Sequence, residues 1–128
     1  MKPLPPIPIG TLLVYRKMFG LVKHYGVYVG PNTVLQNTPE KGEHLISLEE
    51  FCGGKTVRMI PTGAHPADVM ARARKILANP KKYDLVNCNC EHTASETVHG
   101  KATSPQLILL GLIFVAVAAV ILLPKRRA

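Results

Sequence analysis

The segment Asn87-Cys-Asn-Cys-Glu-His92 holds two thiols, a carboxylate and an imidazole in six positions, and it leads into a stretch that reads as a helix ending at His99-Gly100. A cysteine at a helix start lies among unpaired N–H groups at the positive end of the helix dipole. Both favour the thiolate and lower its pKa. An imidazole that takes the proton would complete the activated nucleophile of cysteine acyl transfer. The backbone N–H of that cysteine is also placed to help hold an oxyanion. Cys90 is therefore the candidate nucleophile, set against the plainer reading of a small buried hydrophobe.

The base is sought on the strand His24-Tyr-Gly-Val-Tyr-Val-Gly30. Alternation puts Tyr25, Val27 and Val29 on one apolar face and His24, Gly26 and Tyr28 on the other. An imidazole beside Gly26 leaves room for something to approach it; a lone histidine is otherwise most often a packed or surface residue. A second chemistry is conceivable, because in an extended chain Cys88, Cys90 and His92 share a side and could ligate zinc. The fourth ligand would have to come from His44, His65 or His99, whose spacing signals nothing. Cys52 reads as a small buried residue near a helix end.

Taken together and in this order, the strand motif His24–Gly30 and Asn89-Cys-Glu-His92 resemble the lecithin:retinol acyltransferase-like family. That family includes the phospholipase/acyltransferases related to H-Ras-like suppressors and lies within the NlpC/P60 superfamily of permuted papain-like folds. The resemblance covers roughly residues 10–100, and the apolar C-terminal segment also matches many members. It implies that Cys90 is the nucleophile and His24 the general base. The family's third polar residue, commonly histidine, falls twelve positions after the base, which here is Gln36. Gln36 can hydrogen-bond the second imidazole nitrogen and fix the ring but cannot titrate; Asn37 is the alternative orienter. Cys88 is a second departure, expected to be a packed thiol or an oxidation partner of Cys90.

The implied reaction is transfer of an acyl group from a membrane glycerophospholipid to Cys90, then to water, an amine or a hydroxyl. It calls for no cofactor and no metal. Two other functions fit the same residues: a cysteine peptidase or amidase of the NlpC/P60 kind, and a non-catalytic domain that binds lipid or a partner. Nucleic acid is not an expected partner, since Lys and Arg are scattered and no groove-reading motif is present.

The elements that must position these residues read as α+β, strands first and helices after. Thr11–Tyr15, His24–Gly30, Thr33–Asn37 and Lys55–Ile60 are strand-like, while 38–42 is a loop. Ser47-Leu-Glu-Glu50 has capping-box spacing and starts a short helix that Gly53-Gly54 ends. From Pro66, Val69, Met70, Ala73, Ile76 and Leu77 recur at helical spacing until Asn79-Pro80. The implied fold is an antiparallel sheet with packed helices in a permuted papain-like arrangement.

Residues 107–123 are all apolar except Gly111 and reach about 25 Å as a helix, slightly short of the ~30 Å hydrocarbon core. The chain thus divides into a Pro-rich lead-in (1–9), a catalytic domain (10–101), a linker (102–106), a transmembrane helix (107–123) and a basic tail (124–128). Without Lys125, Arg126 and Arg127, the formal charge of +8 leaves +5 on residues 1–106. That excess suits an anionic lipid surface. The proline-broken start lacks a secretory h-region, so the expectation is a single-pass C-terminal anchor with the domain in the cytoplasm and its three cysteines reduced. Composition excludes a disordered, collagen-like or disulfide-stapled chain.

Overall fold

The computed structural model describes residues 6–123, so part of the lead-in and the Lys-Arg-Arg tail lie outside the described residues. Five strands form one antiparallel sheet: β1 (Leu12–Lys17), β2 (Val22–Tyr28), β3 (Thr33–Thr38), β4 (Gly42–Ser47) and β5 (Arg58–Ile60), in the order β4-β3-β2-β1-β5. The helices are α1 (Leu48–Cys52), α2 (Pro66–Ala78), α3 (Cys90–His99) and α4 (Pro105–Leu122). The α+β expectation holds, with two differences in the strands. Gly42–Ser47 is a full edge strand that the sequence reading missed, and only the last three residues of Lys55–Ile60 join the sheet.

The local signals act as their chemistry requires. Ser47 Oγ accepts from the Glu50 N–H at 3.1 Å, and Gly53 closes α1 at φ 42°, a left-handed conformation that costs a Cβ-bearing residue far more. Pro66 occupies the first turn of α2, whose Val69, Ala73 and Ile76 are buried. Asn89 caps α3 by accepting from the N–H groups of Glu91 and His92, and the His92 ring accepts from the Asn89 N–H. His92 is thereby a capping residue.

Two apolar layers sandwich the sheet. Val27, Val29 and Leu35 pack beneath α2 and α3 with Val69, Ala73, Ile76, Ala94 and Val98. On the opposite face Leu13 and Val34 meet Phe51 of α1. The face of β2 carrying His24 is therefore covered rather than open. A Cβ on Gly26 would come within 2.6 Å of both Phe51 and Val34. The space beside His24 is filled by Phe51, which corrects the expectation of an open approach. Gly26→Ala should destabilise the domain by about 1–3 kcal/mol through overpacking, measured as a lower urea midpoint at unchanged slope. An unaltered midpoint would mean that Phe51 yields freely.

Helix α4 starts at Pro105, two residues before the apolar run. It is 18 residues long, has a mean hydropathy of 2.7 and has no buried residue, so it is long and apolar enough to cross a membrane. At 1.5 Å per residue it spans roughly 27 Å.

Candidate active site

Antiparallel pairing sets Gln36 directly opposite Gly26, and His24 lies one diagonal away on the same face. The expected approach occurs, with His24 Nε2 2.9 Å from Gln36 Oε1. The Gln36 amide continues to His44 Nε2 at 3.1 Å, and His44 Nδ1 donates to the Gly42 carbonyl at 2.7 Å. A carbonyl only accepts, so with His44 neutral the chain has one direction. His44 Nε2 must accept, the Gln36 NH₂ must donate, and Gln36 Oε1 must receive a proton from His24 Nε2. The network thus assigns the His24 proton to Nε2 and leaves Nδ1 as the basic nitrogen. Among the described residues Nδ1 makes no hydrogen bond. His44 was considered in the sequence only as a metal ligand, and its place behind Gln36 depends on the unrecognised strand β4.

An aromatic box holds the His24 ring. Tyr15 lies 5.1 Å away and Phe51 is stacked at 5.7 Å, centroid to centroid. Burial pushes the imidazole pKa down. The Gln36 hydrogen bond opposes this, and Lys17, Lys55 and His44 lower it further. The ring is consequently neutral near pH 7, as a general base must be.

Cys90 is the first residue of α3, as its spacing implied, but it is buried. Beyond Gly26 the partner strand β3 leaves β2, so the backbone groups of Lys23 and Tyr25 that point toward β3 lack a ladder partner. The Cys90 thiol fills part of this edge, with Sγ 3.9 Å from the Lys23 carbonyl. The sulfur therefore meets the backbone beside His24. Cys90 and His24 share no hydrogen bond; catalytic contacts often tighten only when substrate binds. The Cys90 N–H also has no partner among the described residues.

The expected low thiol pKa is overturned. Burial pushes Cys90 up, outweighing the N–H groups of Tyr25 and Glu91 and the charge of Lys17, which favour the thiolate; Glu91 raises it further. Both shifts favour the neutral thiol and the neutral imidazole over an ion pair. Alkylation of Cys90 by iodoacetamide should rise with pH through a midpoint above the ordinary thiol value of about 8.5. A rate that stays flat down to pH 6 would establish a preformed ion pair instead.

The remaining candidates have other partners. Cys88 Sγ donates to buried Glu43 at 3.4 Å, and Thr93 Oγ1 donates to the same oxygen at 3.0 Å. Asn37 faces this cluster, bonding Thr93 Oγ1 and the Cys88 carbonyl at 3.1 Å each, so it lies across the sheet from His24 and does not orient it. Cys52, Cys88 and Cys90 are free thiols. Among the described residues no group of three or more His, Cys, Asp or Glu gathers as a metal site, and His92 is spent on its cap.

Two residues of the site escaped sequence reasoning. Glu91 is buried and accepts from Ser104 Oγ at 2.8 Å and from the Gln106 N–H at 2.9 Å. Gln106, read as linker, uses its side-chain amide like a missing strand: Oε1 accepts from the Lys23 N–H at 3.2 Å and Nε2 donates to the Lys23 carbonyl at 3.3 Å. No protein-family model matches the chain, and no curated protein matches it.

Proposed function

We propose that the protein is a membrane-anchored, thiol-dependent acyltransferase or phospholipase A acting on glycerophospholipids. The observation that carries this reading is the setting of Cys90. Its thiol sits at a helix start against the backbone that flanks His24, and the His24 ring is tied through Nε2 with Nδ1 left basic. The resemblance of these motifs to the lecithin:retinol acyltransferase-like family agrees with it, and a permuted papain-like arrangement is proposed with it. In this reading His24 Nδ1 takes the Cys90 proton as sulfur attacks the ester carbonyl. The Cys90 N–H stabilises the oxyanion, and the lysolipid leaves with the proton returned by His24. Water then releases the fatty acid, or an amine or hydroxyl accepts the acyl group.

Helix α4 favours a lipid substrate over a peptide, because it would hold the domain at the bilayer and make the encounter local. A cytoplasmic domain whose three thiols stay reduced is proposed with it. The full chain, incubated separately with phosphatidylcholine vesicles and with a muropeptide mixture, should release fatty acid from the former and leave the latter intact. Cleavage of muropeptides alone would replace this reading by the peptidase one. Cellular effects that all survive Cys90→Ser would assign a non-catalytic role.

A further inference from the structure

The first turn of α4 is bound to the site by each polar side chain it offers. Ser104 bridges Asn89 and Glu91, the Gln106 N–H bonds Glu91, and the Gln106 side chain spans the Lys23 backbone. The helix that can cross a membrane is therefore fixed against the helix carrying Cys90 rather than hung from a loose tether. This junction leaves a cleft of about 260 Å3 with Cys90 in its lining. Its apolar walls are Leu21 from the turn before β2, Val22 at its start, Leu85 from the loop before α3, and Leu107 and Leu110 from α4. Lys17 and Lys23 supply positive charge to the same cleft.

We propose that this cleft is an acyl-chain site in which α4 is one wall. A single fatty chain of a bilayer phospholipid lies along Leu107 and Leu110 and brings its ester to Cys90, while Lys17 and Lys23 attract the phosphate. The proposal rests on the acyl-transfer reading of Cys90 and deepens it, since the anchor becomes part of the specificity device. The occupant follows from three observations. Leu107 and Leu110 lie one helical turn apart on the surface that continues into the span, so a chain entering there exposes no apolar area to water. The cleft is slightly below the usual size of a small-molecule pocket, which suits part of one chain and not a whole lipid. Two of the apolar walls are also largely exposed, Leu21 83% and Leu85 63%, an arrangement stable against lipid and costly in water.

The test uses the full chain as Cys90→Ser in phosphatidylcholine vesicles doped with a phosphatidylcholine bearing a diazirine beside the ester. Photolabel is expected on Leu21–Val22 and Leu85 as well as on the first turns of α4, and the domain-side label should disappear in Leu110→Trp. Label confined to α4, or unchanged by Leu110→Trp, overturns the cleft. In the Cys90 form, vesicles of mixed chain length give acyl adducts whose masses report preference. Leu110→Trp should favour shorter chains by roughly tenfold, and Leu107→Ala longer ones. Unchanged preference in both variants with acylation intact contradicts the cleft alone. Domain-side photolabel without any acylation of Cys90 retains a lipid site and refutes the acyl-transfer reading.

Discussion

His24→Ala is expected to slow acylation of Cys90 by about 10²- to 10⁴-fold, the usual contribution of a positioned general base. The size follows from the resting protonation states. Burial pushes the Cys90 pKa up and so disfavours the thiolate near pH 7, which leaves proton removal to a base during attack. In the proposed reaction His24 is the base, since the hydrogen-bond chain leaves its Nδ1 unengaged. The ring also fills the space between Tyr15 and Phe51, so the alanine variant loses packing as well as chemistry. His24→Gln separates the two: it retains bulk and can bond Gln36, yet offers no base. A His24→Gln protein that folds with native thermal stability and still acylates at the native rate would remove His24 from the proposed mechanism.

Gln36→Leu should lower the acylation rate by roughly 10- to 100-fold, as loss of an orienting partner commonly does. It leaves buried His24 Nε2–H and half-buried His44 Nε2 facing an aliphatic side chain, which also costs about 1–3 kcal/mol for the buried His24 group left unpaired. The distinguishing readout is the tautomer. Nitrogen NMR of native protein should show a protonated Nε2 and an unprotonated Nδ1 on His24, with that preference weakened in Gln36→Leu and in His44→Ala. An unchanged His24 tautomer in both variants would reduce Gln36 to packing. Gln36→His tests the amide in the other direction: faster acylation would mean that Gln36 limits the rate.

The strand motif, helix α2 and the Asn89-capped α3 were legible because each rests on short-range rules: alternation, apolar spacing, a proline at the start and a cap at the end. Strand β4 was hidden because Gly42-Glu-His-Leu-Ile-Ser47 does not alternate. Glu43 is buried through its bonds to Cys88, Thr93 and the Lys81 N–H, partners about forty to fifty residues away in sequence. The same blindness hid His44 behind Gln36. Gln106 looked like linker because an amide that replaces a strand partner has no local signature. The thiol pKa failed for a related reason: a helix start is visible in sequence, while the desolvation that outweighs it comes from the chain closing over Cys90.

Whether Cys90 carries the acyl group is decided by intact-protein mass spectrometry. After exposure of the full chain to phosphatidylcholine vesicles near neutral pH, peptide mapping should find one added acyl mass on Cys90, removable by hydroxylamine and absent in Cys90→Ser. Acyl mass on Cys88, or none on a folded, membrane-bound chain, would contradict the account.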